Sequence, residues 1–240
     1  MFDMVNYERH GSVALIAMNR TDALNAFTSE LCRDLMLALD EAASDDAIRS
    51  LVLTGEGRAF SAGADLKSGF DGDRTTQEKL QLEFRPPLEA MAQMPKPVIA
   101  AVPGFAAGIG LSFALQADLL IMADDAFLLS PFTTISLVPD GGANWLLVRQ
   151  LGYRRAFQLS VESERIAAAR CVELGLANKA VPAGELRDAA IAWGEELGKR
   201  APLSVAATKK VMRLAMDGDW GMCFDAEAEL QEQLRSSEDA

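Results

Sequence analysis

LVLTGEGRAFSAGADLK, residues 51–67, is an apolar run followed by a glycine-rich loop. Its first three residues are of the kind that form a buried strand. Glycine lets the backbone of the loop adopt positive φ and lets another molecule approach closely. Two cations, Arg58 and Lys67, flank the loop. The pattern is typical of backbone N–H groups that face an anionic ligand, and equally typical of a surface turn between a strand and a helix.

The composition is that of an acidic chain with enough apolar residues for a large core. The 240 residues are 50% hydrophobic and carry a formal net charge of -12. The acidic excess argues against a nucleic-acid partner, since phosphate contacts need a basic face. It also means that an anionic ligand needs local cations to offset the field of the whole chain.

Cysteine and histidine are scarce. Cys32, Cys171 and Cys223 are far apart in the chain, and His10 is the single histidine. This pattern predicts neither a metal site nor a disulfide framework, and it indicates a reducing cytoplasm. A Ser–His–Asp or Cys–His mechanism lacks a suitable base, because His10 lies at a predicted turn. The N-terminus has no signal-peptide pattern, and no apolar run reaches the ~18 residues of a membrane span.

The residue pattern predicts an α/β fold with a mostly helical last third. β-rich runs at 5–10 and 12–18 around Gly11 predict a hairpin. Thr28 is placed to cap a helix that ends near residue 43. Pro86 and Pro87 interrupt a helical stretch at 77–94, which predicts two helices or a sharp kink. Further strands are predicted at 98–102, 118–123, 126–129 and 178–181, and further helices at 111–116 and 141–151.

Two glycine-rich turns between a strand and a helix are candidates for backbone anion binding, at residues 61–64 and 104–110. GIGLSF at 108–113 lacks the third glycine of a dinucleotide fingerprint. AFSAG at 59–63 lacks the first glycine of a nucleophile elbow, and the chain lacks its histidine. What remains is a pair of turns with free N–H groups, and two facing donors of this kind are what an oxyanion site requires.

Three segments together resemble the enoyl-CoA hydratase/isomerase (crotonase) family. They are LTGEGRAFSAGADLK, KPVIAAVPGFAAGIGLSFALQADLLIMA and LVPDGGANWLL, in this order along the chain. The resemblance implies an α/β spiral of ββα units, expected at 1–185, and a helical C-terminal trimerisation region at 186–240. It implies an acyl-CoA thioester as substrate, no cofactor apart from the coenzyme A of that substrate, and a homotrimer or dimer of trimers.

The resemblance also implies where the thioester binds. The N–H groups of Ala64 and Ile109 hold the thioester oxygen beside Gly108, although the family usually has glycine where Ile109 stands. Losing one such donor to a developing negative charge costs roughly 3 kcal/mol. The coenzyme A phosphates and adenine are expected near Arg58 and Lys67, which are otherwise ordinary surface charges. Backbone contacts with coenzyme A are expected from Ala62, Gly63, Asp65 and Leu66.

Ser112 and Phe132 stand where hydratases of this family typically carry two glutamates. Hydration needs a water that is oriented and deprotonated and a proton that is delivered, so the ordinary hydratase mechanism is disfavoured. Asp140 in LVPDGG remains, and in some isomerases of the family an aspartate at this position does the chemistry. Its apolar neighbours are expected to raise its pKa and make it a better base. The alternative role for Asp140 is a helix N-cap.

The predicted function is therefore an enoyl-CoA isomerase with Asp140 as acid and base. An enoyl-CoA hydratase with an unusual water arrangement and a non-catalytic acyl-CoA-binding protein are the alternatives. The acyl pocket is expected to be formed by apolar residues that could also be plain core, namely Phe70, Phe132, Ile135, Leu137 and Trp145.

Overall fold

A computed structural model describes residues 2–66 and 74–237. The strands are β1 (Val5–His10), β2 (Val13–Met18), β3 (Ser50–Gly55), β4 (Val98–Val102), β5 (Phe105–Ala107), β6 (Leu119–Ala123), β7 (Phe127–Leu129), β8 (Ile166–Ala167) and β9 (Lys179–Val181). The helices are α1 (Ser29–Ser44), α2 (Thr76–Lys79), α3 (Arg85–Gln93), α4 (Ile109–Gln116), α5 (Ala143–Leu151), α6 (Tyr153–Glu162), α7 (Ala168–Leu174), α8 (Leu186–Gly198), α9 (Pro202–Ala215) and α10 (Trp220–Arg235).

A six-stranded sheet forms the centre of the fold, in the order β1-β2-β3-β4-β6-β9. The predicted hairpin is confirmed, because β1 pairs antiparallel with β2. The other neighbouring strands are parallel. Every residue of β2, β3 and β4 is buried, as expected for parallel strands that are covered on both faces. The apolar runs of the sequence thus become the central strands.

A smaller sheet, β5-β7-β8, carries the second glycine turn. β5 and β7 are parallel, with Ala107 opposite Leu129, and β5 leads directly through Gly108 into α4. The antiparallel strand β8 has two residues, which is too short for a sequence pattern to predict it.

Helix α1 forms as the sequence predicts. The Leu31 N–H donates to Thr28 Oγ1 at 3.3 Å, which caps the helix, and Leu31 and Leu35 are fully buried in the core. Helix α8 also packs on the central sheet, where the Ser50 hydroxyl donates to the Gly194 carbonyl at 2.9 Å. The predicted boundary at residues 185/186 precedes this helix and stays a prediction.

Residues 76–93 form two α-helices joined by a π-helical turn, so of the two predicted outcomes, two helices or a sharp kink, the first is confirmed. A π-helical turn at Leu80–Phe84 joins α2 to α3, and the Arg85 N–H donates to the Leu80 carbonyl. Pro86 and Pro87 consequently lie in the first turn of α3. A missing N–H costs no intrahelical hydrogen bond there.

Helices α9 and α10 have no buried side chain. Charged groups hold α9 on the core: Lys209 Nζ lies 2.7 Å from the Asp118 carboxylate and donates to the Met91 carbonyl at 2.8 Å. Arg213 pairs with the same carboxylate at 3.0 Å. Among the helices of the described residues, none has the length and apolar character to cross a membrane.

Candidate active site

The two glycine turns predicted from the sequence lie against each other. The Ala107 N–H donates to the Ser61 carbonyl at 2.9 Å. A Cβ built on Gly63 would lie 3.1 Å from the Ala107 carbonyl oxygen and 3.5 Å from the Gly108 Cα. Gly63 and Gly108 have φ of +102° and +56°, which side chains with a Cβ rarely adopt. Glycine is therefore required at both positions for the close approach and for the backbone conformation.

Two backbone donors in these turns are left available. Within residues 2–66 and 74–237, the N–H groups of Ala64 and Ile109 make no hydrogen bond, while those of Gly63, Asp65 and Gly108 do. The Asp65 N–H donates to Phe27 at 3.0 Å and the Gly108 N–H to Leu129 at 3.2 Å. A pair of unused donors on adjacent loops is the arrangement that stabilises an oxyanion. Ile109 is 1% exposed as a whole residue, whereas Ala64 is exposed.

Asn25 braces the first turn, and the sequence analysis missed it. This residue is fully buried with φ of +55°. Its amide donates to the carbonyls of Ala59 at 2.8 Å and Glu56 at 2.9 Å, and its own carbonyl accepts from the Ser61 hydroxyl at 2.8 Å. An asparagine in a polar segment is common in turns, so no local signal distinguishes it.

Arg20 anchors the same turn from its other side. Its guanidinium lies 2.9 Å from the Asp65 carboxylate, and both side chains are mostly buried. It also donates to the Ala26 carbonyl. The Asp65 carboxylate is thus engaged inside the protein and fixes the loop that carries Ala64, whereas its predicted contact with coenzyme A stays a prediction.

The other residues predicted to bind coenzyme A lie at the surface or outside the described part. Arg58 is exposed, and no residue of the described part forms an ion pair with it. Ala62 is half-buried and Leu66 is exposed. Lys67 and Phe70 lie outside the described residues, so their predicted roles stay predictions.

Asp140 lies on a turn that packs on the first turn of α4. Its carbonyl accepts hydrogen bonds from the Ser112 hydroxyl at 2.8 Å and from the Ala143 N–H at 3.1 Å. A Cβ on the next residue, Gly141, would lie 2.3 Å from Ile109 Cδ1. The turn therefore places the aspartate beside the helix whose first N–H is a candidate oxyanion donor.

The Asp140 carboxyl group is partly shielded from water, and one of its oxygens has no hydrogen-bond partner in the described part of the chain. Its Oδ1 is buried and has no hydrogen-bond partner among the described residues. Burial raises the pKa of Asp140 to about 6, against an opposing hydrogen bond from its own backbone. Helix α5 begins at Ala143 with Gly142 as N-cap, and no side chain caps it. The alternative role of Asp140 as a helix N-cap is therefore wrong, and its carboxylate is available as a base near neutral pH.

Ser112 and Phe132 stand at the two positions where a hydratase of this family was expected to carry glutamates. Ser112 is fully buried, and its hydroxyl is committed to the Asp140 carbonyl. Phe132 is buried, and its ring lies 4.0 Å from a Cβ built on Gly108. Ser112, hydrogen-bonded to a backbone carbonyl, and the ring of Phe132 thus occupy the two positions at which a hydratase was expected to carry glutamates. No cluster of three or more histidine, cysteine, aspartate or glutamate side chains in the described part could hold a metal ion.

A cavity of about 640 Å³ opens beside Gly141 and Gly142. It is called the acyl cavity because the predicted acyl-pocket residue Trp145 lines it, and acyl binding there stays a prediction. Its apolar lining residues are Leu80, Phe84, Leu88, Trp145 and Leu146. Of the predicted acyl-pocket residues, Trp145 lines this cavity and also donates through Nε1 to Asp217 at 3.3 Å. Phe132 packs on Gly108 instead, and Ile135 and Leu137 are each 48% exposed and lie outside the lining.

The sequence and the fold together are those of an acyl-CoA enzyme. The family model described as enoyl-CoA hydratase/isomerase matches residues 8–240, and the chain belongs to this family. The chain is 34% identical to a probable enoyl-CoA hydratase of Rhodobacter capsulatus over 238 residues, covering 99% of this chain and 92% of the relative. It is 32% identical to the 1,2-epoxyphenylacetyl-CoA isomerase of Escherichia coli over 231 residues, covering 95% and 88%.

The solved structures support the same assignment. An enoyl-CoA hydratase from Bacillus anthracis superimposes with a TM-score of 0.94 at 29% identity, covering 99% of this chain and 93% of that chain. The crotonase fold predicted from the sequence is confirmed. Relatives named hydratase and isomerase are both similar to this chain, so the names alone do not select the reaction.

Proposed function

We propose that this enzyme is an enoyl-CoA isomerase that shifts a double bond with Asp140 as acid and base. The observation that carries the proposal is the half-buried Asp140 side chain, whose Oδ1 is buried without a partner among the described residues and whose pKa is raised to about 6. A group of this kind is ionised at neutral pH and is still basic enough to remove a proton next to a thioester.

The chemistry needs one carboxylate and two donors. With a 3-enoyl thioester, ionised Asp140 takes a proton from C2, and the electron pair moves toward the thioester oxygen. The N–H groups of Ala64 and Ile109 stabilise the resulting dienolate, which is worth roughly 3 kcal/mol for each donor. Protonated Asp140 then returns the proton to C4, and the product is the 2-enoyl thioester. Atoms and charge balance without water or a cofactor.

Hydration of a 2-enoyl thioester is the second candidate, because several relatives carry the name enoyl-CoA hydratase. It would need a water held and activated near Asp140. The Ser112 hydroxyl donates to a backbone carbonyl, and Phe132 offers a ring in place of a carboxylate. This local chemistry favours isomerisation over hydration.

Incubation with 2-enoyl- and 3-enoyl-CoA esters distinguishes the candidates. A double-bond shift at constant mass supports the isomerase, and a mass gain of one water supports the hydratase. Binding without any product would support a non-catalytic acyl-CoA-binding protein. Asp140→Asn is expected to bind the CoA ester and to lose the shift, whereas the exposed control Asp125→Asn retains it. Near-normal turnover of Asp140→Asn would overturn the proposal.

The assembly and setting of the enzyme are proposals as well. We infer a homotrimer or dimer of trimers, with support from exposed apolar side chains such as Tyr153, Phe157, Trp220 and Phe224, which are uncommon on monomers when they cluster. Light scattering after size exclusion tests the assembly. A cytoplasmic location, independence from metal and from any separate cofactor, and the absence of a nucleic-acid partner are proposed with it.

A further inference from the structure

A second cavity adjoins the acyl cavity. It has a volume of about 530 Å³, lies between α9 and the core, and is called here the α9 cavity. Its apolar lining residues include Leu115, Leu119, Leu146, Leu197, Val205 and Met212. Each cavity has the volume of an ordinary small-molecule site.

The two cavities share a boundary. Leu146 on α5 lines both of them. Gln116 at the end of α4 lines the acyl cavity, while Leu115 and Ala117 on either side of it line the α9 cavity. Leu146 and the end of α4 thus lie at the boundary between the two spaces.

Three charged groups that line the α9 cavity pair with one another, and a fourth, Arg200, is exposed at its edge. Asp118 accepts from Lys209 at 2.7 Å and from Arg213 at 3.0 Å, and the Gln116 amide donates to the Leu88 carbonyl at 3.1 Å. Because Asp118, Lys209 and Arg213 satisfy one another, most of the remaining lining is apolar, with Gln150, Arg200, Ser204 and Thr208 as its polar members. An alkyl chain fits this chemistry, whereas an anionic headgroup would find Lys209 and Arg213 already paired.

Helix α9 forms the roof of the α9 cavity, and none of its residues is fully buried. Val205 and Met212 of this helix line the cavity, and Met212 is 68% exposed. Apolar side chains around unfilled space gain from burial against an alkyl chain, and each buried methylene is worth roughly fourfold in affinity.

We propose that long acyl chains extend from the acyl cavity past Leu146 into the α9 cavity. The enzyme then takes long-chain enoyl-CoA esters, and Leu146 sets the chain length that it accepts. The inference rests on the proposed function, because the acyl cavity beside Asp140 is taken as the site of the reacting end of the chain.

Two substitutions test this from opposite sides. Val205→Trp fills the α9 cavity from its roof, and Leu146→Ala opens the wall. Isomerisation of hexenoyl- and tetradecenoyl-CoA is measured as kcat/KM for each variant. Val205→Trp is expected to lower the tetradecenoyl-to-hexenoyl ratio at least about tenfold, since losing the burial of two methylenes at roughly fourfold each already exceeds that. Leu146→Ala is expected to raise the same ratio.

Leu147→Ala is the matched control, since Leu147 is as buried as Leu146 and lines neither cavity. It loses stability in the same way and is expected to leave the ratio unchanged. Circular dichroism verifies that each variant is folded. If Val205→Trp does not fold, the ratio for Leu146→Ala against Leu147→Ala decides the question.

A binding measurement separates this inference from the proposed function. Calorimetric affinities for hexanoyl- and tetradecanoyl-CoA report chain length without requiring turnover. If the protein shifts no double bond but Val205→Trp lowers its affinity for tetradecanoyl-CoA relative to hexanoyl-CoA, the isomerase is refuted and the long-chain site is supported. If the protein is an active isomerase and neither substitution changes the long-chain to short-chain ratio of kcat/KM or of affinity, the long-chain site alone is refuted.

Discussion

Replacing Asp140 with asparagine removes the one group to which the proposed chemistry assigns proton transfer. Burial raises the pKa of this carboxyl from 3.8 to about 6. The ionised form is the base, so wild-type kcat/KM is expected to rise with pH and to level off above about 6. The asparagine side chain cannot ionise, so the variant is expected to lose on the order of 10²–10⁴-fold in rate and to show no inflection near pH 6.

The same substitution has a thermodynamic signature of known sign. The folded-state pKa lies above the unfolded value, so ionisation of Asp140 destabilises the fold as pH rises from about 4 to about 6. One pKa unit corresponds to about 1.4 kcal/mol, and a rise from 3.8 to about 6 makes the full cost at most about 3 kcal/mol. Between pH 5 and pH 8, Asp140→Asn should gain about 1.4 kcal/mol of unfolding free energy relative to wild type.

Both effects are measured on one pair of proteins. Isomerisation of a 3-enoyl-CoA is followed from pH 5 to pH 8, and urea unfolding is recorded at the same pH values. Asp125→Asn serves as the control, because Asp125 is exposed. A variant that loses activity without the pH-dependent gain in stability would show that Asp140 is not held in a desolvated site. A wild-type profile that is flat through pH 6 would refute its role as the base.

Four further substitutions test Ser112 beside Asp140 and three residues of the first glycine turn or its supports. Ser112→Ala removes the hydrogen bond to the Asp140 carbonyl; kcat should fall about tenfold at constant KM, and Ser112→Thr should restore part of it. Asn25→Ala leaves two buried carbonyls unpaired and should lower the unfolding free energy by about 2–4 kcal/mol in urea; an unchanged midpoint would contradict the brace. Gly63→Ala strains a φ of +102° and should cut kcat/KM at least about tenfold with circular dichroism unchanged; full activity would separate this turn from the site. Arg58→Ala should weaken CoA-ester binding more at low salt than at high salt, and equal affinity would identify Arg58 as an ordinary surface charge.

Local sequence patterns determined the framework of this protein. The apolar runs of β2, β3 and β4 predicted buried strands because side-chain periodicity and hydrophobicity act over a few residues. Thr28 predicted the start of α1 because capping joins residues three apart. The glycines of the two turns and the segments around them identified the family, since a turn that needs positive φ leaves its mark at a single position.

The same local reasoning failed where distant residues decide the outcome. The prolines at 86 and 87 predicted two helices or a kink, and two helices form, but the π-helical turn that joins them was not predicted. Asp140 beside two glycines was a candidate N-cap, but the helix begins two residues later than expected, at Ala143. Neither result is visible in a short window, because each depends on how the neighbouring segment packs.

Tertiary structure alone decided how the site is held and what surrounds it. Arg20 meets Asp65 and Ser112 meets Asp140 only after the sheet and α4 have formed. The pKa of Asp140 is raised because the fold as a whole buries its carboxyl group. Its apolar neighbours in the sequence predicted the direction of this shift but not its size. The acyl and α9 cavities are spaces between elements, and one side chain of α5 lines both of them. Contacts, desolvation and empty volume arise between residues far apart in the chain, so no stretch of sequence contains them.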